Sequence, residues 1–419
     1  MVIDDSQKVV GESSNNNNND YKGLFCIRTI TCFLVLKEED ILNENNLRYK
    51  IKDACELLQQ VEHLCLENGY QVQTIRIATN PFGEWLLPSK SDTTTTSSIV
   101  EGRLNLWKKV VKDEHGIHFC SLGPAKTVVE MIQYCPMIVR SGCSCSAIVN
   151  ANDVHAARSC ASIIQQLSWD ENFRFCTTSN CPPHIPFFPA AKATSTTTTS
   201  NTTTFGIGLE NGSLLHHLLS RDDCTSISDV PTVLKEQLVR ALSPIDTMCK
   251  QHFTNNEYLG IDTSLNPSLN GTSGSVAHAM EQLQEINTFG SSGTLASAAA
   301  LTKVLQSLPS IQTTGYCGLM LPVCEDVRLA ELGTLQKLSI LHLLHISSVC
   351  GVGVDTVPIA GNVSQEALTS LILDVAALAN RWNKPLSCRV FPVENANVGD
   401  STQFDDSPYL CNTKIFDLS

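Results

Sequence analysis

Several carboxylates fall where short apolar runs end, the place where a strand hands over to a loop. Asp262 closes Tyr258-Leu259-Gly260-Ile261, Asp355 follows Gly351-Val352-Gly353-Val354, Glu325 and Asp326 follow Leu321-Pro322-Val323-Cys324, and Glu210 ends the run from Phe205. Carboxylates gathered in a low-dielectric mouth hold a hard cation such as Mg2+, contact an amine or hydroxyl of a substrate, or push one another's pKa into the acid/base range. Asp262, Asp355 and Asp326 are the expected catalytic acids, bases or cation ligands. The competing use of Glu325 and Asp326 is to open a helix, where a negative charge favours the dipole. For Asp262 and Asp355 it is an ordinary turn. On the site reading, Asp262→Asn should leave the fold intact and abolish ligand binding.

The hydroxyls beside these acids, Ser264 and Thr356, are candidate ligand contacts. A second group, Ser291, Ser292 and Gly293, precedes an Ala-rich helix from Leu295 to Leu305 and offers free backbone N–H groups suited to a phosphate or carboxylate, or to simple capping. Ser273-Gly274-Ser275 is a weaker copy. Cys350 ahead of Gly351 suits a thiolate nucleophile if a base is near, although a buried structural thiol fits the same context. His342 and His345 lack an H-E-x-x-H context and read as helix-face or core histidines. Cys143, Cys145, Cys176 and Cys181 have C-x-C and C-x4-C spacing, which fits buried thiols better than structural zinc. Phe187-Phe188-Pro189 reads as packing or as a pocket wall.

The elements that must position these residues are short β-branched or aromatic runs. They are Arg28 to Leu36, Val72 to Asn80, His118 to Ser121, Met137 to Cys145, Phe173 to Asn180, Phe205 to Glu210, Tyr258 to Asn266, Tyr316 to Val323, Val349 to Pro358 and Ser387 to Val393, ten candidate strands. Helical patterns fill most of the gaps: Leu47 to Asn68, Asn152 to Leu167 following Asn150, and Gln365 to Trp382, closed by Pro385. A further helix opens at Glu325-Asp326 and runs to near His345. Alternating strands and helices argue for a parallel sheet with crossover helices, either open and doubly wound or closed as a barrel. Ten strands exceed the common eight-stranded barrel.

Residues 1–22, with Asn15 to Asn19, have little to bury and are expected to form a disordered tail ahead of one domain over 23–419. The threonine-rich tracts at 91–98 and 194–204 are expected to be surface-loop insertions.

Several segments together resemble one known family. They are Arg28-Thr29-Ile30-Thr31; Asn172-Phe173-Arg174-Phe175 leading to Ile185-Pro186-Phe187-Phe188-Pro189-Ala190-Ala191; Gly260 to Ser268; Phe289 to Thr294; Gly318 to Asp326; Cys350 to Pro358; and Arg389-Val390-Phe391-Pro392-Val393. In order and spacing over about residues 24–418 they resemble the domain-of-unknown-function 711 family, a group of cytosolic proteins. The resemblance implies a ten-stranded α/β barrel similar to the pyruvate formate-lyase-like fold, with two five-stranded parallel halves running antiparallel. A shared fold does not carry chemistry. Glycyl radical catalysis needs a glycine in a short C-terminal arginine-valine loop facing a cysteine, and Arg389-Val390-Phe391-Pro392 has none. In the family pattern the Phe-Phe-Pro-Ala-Ala run leads to a glycine-rich loop, whereas here Lys192 leads into the threonine tract.

Composition narrows the function classes. A formal charge of −13 on 419 residues argues against a nucleic-acid or anionic-membrane surface. No apolar stretch approaches the ~18 residues a membrane helix needs, and the first residues show no basic, apolar, small-residue signal pattern, so a protein without a secretory leader is expected. Eighteen cysteines spread through apolar runs fit buried thiols in a cytoplasmic protein. The expectation is a cytoplasmic, enzyme-like protein that binds a small metabolite, an anionic one among the options, with acid/base or metal-assisted chemistry at an acidic mouth; a homodimer is the default for such a chain. The alternative is a sensor or scaffold using the same pocket without turnover.

Overall fold

In the computed structural model, residues 21–89, 93–194, 203–254 and 257–418 are described. The expected tail lies almost wholly outside them, but its last residues do not fit the expectation: Tyr21–Leu24 forms a 3-10 turn, and buried Tyr21 donates its hydroxyl to Gln237 Oε1 at 2.5 Å.

Nine strands form one sheet: β1 (Cys26–Leu34), β2 (Ile75–Thr79), β3 (Phe119–Ala125), β4 (Ser144–Ile148), β5 (Phe175–Ser179), β6 (Thr204–Glu210), β7 (Tyr258–Asp262), β8 (Gly353–Ala360) and β9 (Leu386–Val393). Their order is β7-β6-β1-β2-β3-β4-β5-β9-β8. β1 to β5 are mutually parallel, β6 and β9 run antiparallel to β1 and β5 respectively, and β7 and β8 lie parallel to β6 and β9. Helices connect the parallel neighbours, among them Glu44–Glu67, Val128–Arg140, Val154–Gln166 and Gln365–Trp382. The result is a mixed α/β sheet of nine strands.

The tenth expected strand, Tyr316 to Val323, is not a continuous one. Residues 313–322 make isolated parallel bridges to both edges of the sheet: Ile261 with Thr313, Leu265 with Leu319, and Pro322 with Asp355. The interruption has a local cause. The Asp262 carboxylate accepts the backbone N–H of Tyr316 at 2.8 Å and of Cys317 at 3.0 Å, amides that a ladder would otherwise use, and Gly315 and Cys317 adopt φ of +82° and +49°.

Other expectations shift. Met137 to Cys145 is mostly the end of helix Val128–Arg140, with β4 beginning only at Ser144. Helix Val154–Gln166 is capped by Asp153, whose side chain accepts Ala156 N–H, and not by Asn150. The threonine tract at 91–98 is not a loop where it is described: it supplies the first turns of helix Thr93–Lys108. The tract at 194–204 lies largely outside the described residues. The single helix expected from Glu325 to His345 is two, Val327–Thr334 and Ile340–Ser347.

Strand periodicity gives the sheet two unlike faces. Ile30, Cys32, Ile77, Leu122, Cys145, Phe175, Ile207, Leu209, Val354, Leu386 and Val390 join the main core packed under the helices. The alternate residues form the inner face, which mixes small, polar and charged side chains, Thr29, Thr31, Arg76, Ala78, Ser121, Cys176, Gly206, Gly208, Ser387 and Arg389, with the rings of Phe33, Phe119 and Phe391. The segment 181–193 packs against it. Thr31 Oγ1 donates to Pro186 O (2.8 Å), Ser121 Oγ to Ala191 O (2.9 Å) and Thr314 Oγ1 to His184 O (3.0 Å). Phe187 sits directly over Gly208, where any Cβ would come within 2.7 Å of the ring.

Candidate functional site

The expected acidic residues do not form one mouth. Asp262 is fully buried, and four donors occupy it: Ser264 N–H (3.0 Å), Ser264 Oγ (2.6 Å), Tyr316 N–H and Cys317 N–H. Burial pushes its carboxyl up from the usual aspartate range, against the pull of those donors. It is the organising centre of an irregular segment. Ser264 Oγ in turn accepts Gly318 N–H at 3.1 Å. Asp326, also fully buried, caps two helices at once. It accepts Ser275 Oγ (2.5 Å), Val276 N–H (2.9 Å) and Ala277 N–H (3.3 Å) at one, and Arg328 N–H (2.9 Å) and Leu329 N–H (3.1 Å) at the other. Its carboxyl is likewise pushed up by burial. The capping alternative therefore holds for Asp326 and not for Glu325.

The other expected contacts are dispersed. Ser291 and Ser292 are exposed, and the turn before helix Thr294–Leu305 is closed by Gly290 N–H donating to Thr294 Oγ1 at 3.0 Å. Gly293, at φ +97°, has Glu285 O where a Cβ would sit. Thr356, buried at φ +46°, accepts Cys324 N–H at 3.3 Å. Cys350 is buried against Leu319, whose N–H points at Sγ (3.0 Å), and burial pushes its thiol up, opposite to what a nucleophile needs. His342 is spent on the turn at Ser339. Among the described residues no group of three or more His, Cys, Asp or Glu side chains is arranged to hold a metal ion, and the four cysteines weighed for zinc are no exception.

Of the three expected catalytic acids, Asp355 alone joins a charged array, which also takes in Glu325 and Glu210, and its partners are arginines. Arg389 donates Nε to Asp355 Oδ1 (2.6 Å) and Nη2 to Oδ2 (3.1 Å), and the same Nη2 reaches Glu325 Oε1 at 3.0 Å. The second Glu325 oxygen takes Arg28 Nη2 at 2.6 Å, and Arg28 Nη1 lies 3.7 Å from Glu210 Oε2. Burial raises the Asp355 carboxyl while Arg389 pulls it the other way. Buried ion pairs contribute little net stability, so such an array points to a role in specifying geometry.

Arg76 stands beside this array and is the exception in it. Its Nε donates to Thr74 Oγ1 at 2.8 Å, its guanidinium lies 5.2 Å from the centroids of both Phe119 and Phe188, and among the described residues no carboxylate pairs with it. Burial first, and the nearby charge of Arg28 second, push its pKa down to about 9. Arg389 lies in a similar setting, 5.0 Å over Phe173.

In the sequence Arg28 and Arg389 stand out only as parts of motif runs, and Arg76 only as one residue of the candidate strand Val72 to Asn80. The signal was present: a lone Arg between apolar neighbours, as in Ile75-Arg76-Ile77 and Cys388-Arg389-Val390, must face away from the core that takes its neighbours.

Fold and site together define a mixed α/β protein whose sheet carries an arginine–carboxylate array on the face opposite its helices. The family model described as Uncharacterised ACR (DUF711) matches residues 21–406, and the chain belongs to that family. A UPF0210 protein of Neisseria meningitidis serogroup C is 23% identical over 407 residues, covering 91% of this chain and 88% of the relative. UPF0210 proteins of Oenococcus oeni and Acetivibrio thermocellus are each 33% identical, over 146 and 147 residues respectively. Those two matches span 34% of this chain and only 32% of each relative's length.

Proposed function

We propose that this protein binds a small anionic metabolite, bearing a carboxylate or phosphate, on the inner face of its sheet, with Arg76 as the principal cation. The observation that carries the reading is the Arg76 guanidinium, without a carboxylate partner among the described residues, held between two rings beside Arg28 and Arg389. A planar fork of N–H donors matches an oxyanion, and a partly desolvated cation without a counter-ion gains most from one. Arg28 and Arg389 are oriented by Glu325 and Asp355, so the ligand would meet a positioned set of donors.

Asp262, Asp326, Asp355 and Glu325 each have their oxygens engaged by amides, hydroxyls or arginines, which favours binding over acid/base turnover and thus a metabolite sensor. We also read residues 313–322, bridged to both edge strands, as the tenth member of a ring similar to the pyruvate formate-lyase-like barrel. All eighteen cysteines are free and no helix of the described residues is long and apolar enough to cross a membrane, a combination that fits a protein of the reducing cytoplasm.

Thermal-shift and calorimetric titration with phosphate, malate and citrate test the proposal. A stabilising anion should lose about tenfold or more in affinity in Arg76→Gln, the loss of one charge-assisted pair, with unchanged circular dichroism. Wild-type affinity in that variant, or no shift with any of the anions, overturns it.

A further inference from the structure

We propose that the cavity beside Glu210 binds a small zwitterionic α-amino acid, with its ammonium on the Glu210 carboxylate and its carboxylate at the start of helix Gly212–Leu219. The site is separate from Arg76. In the sheet, β1 with Arg28 lies between β6, which ends at Glu210, and β2, which carries Arg76.

Glu210 is the one carboxylate of the array without a close partner. Its side chain is only 15% exposed, yet among the described residues no N–H or O–H group donates to it at hydrogen-bond distance. Arg28 Nη1 stands off at 3.7 Å, because Arg28 spends Nη2 on Glu325 at 2.6 Å and Nη1 on the Pro267 carbonyl at 3.3 Å. The other neighbour is the Cys26 thiol, 3.8 Å from Oε1. Burial first, and the Glu210 charge second, push that thiol up to about 12, so it remains an S–H and a weak donor. A nearly buried carboxylate whose partners are distant gains most from a charged N–H donor.

Room for that donor is present. Glu210, Cys26, Gln73, Ser213 and Ser268 line a partly open cavity of about 150 Å³. A cavity of that volume takes benzene, so it suits a ligand of about five to seven heavy atoms, the size of glycine, alanine or serine. The rest of the lining supplies donors. Asn211, the residue before the helix, turns its side chain elsewhere: its Nδ2 donates to Ser264 O at 3.1 Å and its Oδ1 accepts Asn266 N–H at 2.8 Å. The Ser213 N–H is therefore left without an acceptor among the described residues. The Ser268 hydroxyl has no partner among them either, although the residue is only 7% exposed. Gly274 O lies where a Cβ on Gly212 would sit, and that close approach brings the helix start against the 268–274 loop that carries Ser268. Lys22, donating to Asn68 O at 3.0 Å, adds a positive charge to the lining.

The two halves of the cavity select the ligand class. A plain anion would meet the Glu210 charge, and a plain amine would leave the helix amide and the Ser268 hydroxyl unanswered. An α-amino acid answers both within the span of one small cavity, its carboxylate taking the N–H at a helix start and its ammonium the carboxylate.

Isothermal titration calorimetry and thermal shift of the full-length protein with glycine, L-alanine and L-serine at pH 7 test this, with N-acetylglycine and ethylamine as probes that each keep one charge. At least one of the amino acids should bind, and both one-charge probes should bind about tenfold or more weakly, the loss of one charge-assisted contact. Glu210→Gln should lower the amino-acid affinity by a similar factor with unchanged circular dichroism, while Arg76→Gln should leave it at the wild-type value. If Glu210→Gln does not fold, the probe comparison on the wild-type protein decides. Binding of none of the three amino acids, N-acetylglycine binding as tightly as glycine, or wild-type affinity in Glu210→Gln overturns the proposal and leaves the Arg76 reading untouched. An equal loss in Arg76→Gln also overturns it, by placing the amino acid on the Arg76 site.

Discussion

Arg389 grips Asp355 through two parallel hydrogen bonds, Nε to Oδ1 at 2.6 Å and Nη2 to Oδ2 at 3.1 Å, and shares Nη2 with Glu325. Removing one member of such a pair strands the other's charge in a poorly solvated place. Asp355→Ala should therefore cost about 3 kcal/mol, at the lower end for a broken buried pair because the site keeps some contact with water. Adding Arg389→Met should recover part of that loss. Urea midpoints of the single and double variants check this, and additive losses would show that the two side chains act independently.

Asp262→Asn should behave quite differently from a site mutation. The amide keeps one acceptor oxygen for four donors and turns an NH2 group toward backbone N–H groups of the Tyr316-Cys317 turn. A loss of about 2 to 3 kcal/mol in chemical denaturation is expected, the cost of stranded buried polar groups. The affinity of the folded variant for the anion that binds through Arg76 should match wild type.

The Phe187–Gly208 contact sets the seat of the 181–193 segment. A Cβ at position 208 would lie 2.7 Å from Phe187 Cζ and 2.8 Å from Thr29 Cγ2, so both neighbours must move. Gly208→Val should destabilise by about 1 to 3 kcal/mol through overpacking. Combining it with Phe187→Leu should give back part of the loss in thermal denaturation. A neutral Gly208→Val would mean that the segment is free to shift.

The thiols provide a pH prediction. Burial raises Cys55 and Cys143 to about 11 and Cys26, Cys65 and Cys388 to about 12. An unfolded cysteine titrates near ~8.5, so above that pH the unfolded chain holds fewer protons than the folded one. Their contribution is fully present below ~8.5 and is lost as pH rises toward the folded values. The urea midpoint should therefore fall between pH 8 and pH 10, and a thiol reagent at pH 8 should leave Cys350 unmodified until urea is added. Rapid labelling of Cys350 in the native state would restore it as a nucleophile candidate.

Much of this molecule was legible from local chemistry. Alternation of apolar and small or polar residues marks most of the strands, and Gln365–Trp382 could be bounded to the residue because its 3.6-residue period ends at Asn383 and Pro385. The family too follows from motifs spread along the chain in order. What local patterns could not decide was which partners each charged side chain meets. Asp262, Asp326 and Asp355 look alike in sequence, an acid after an apolar run, yet one is saturated by a turn, one caps two helices, and one is clamped by Arg389 from a neighbouring strand. Hydrogen-bond satisfaction is set by groups tens of residues away, and only the folded chain brings those together. The same holds for Arg76. Its position on the inner face was implied by Ile75 and Ile77, but its lack of a carboxylate partner among the described residues is a property of the tertiary structure alone.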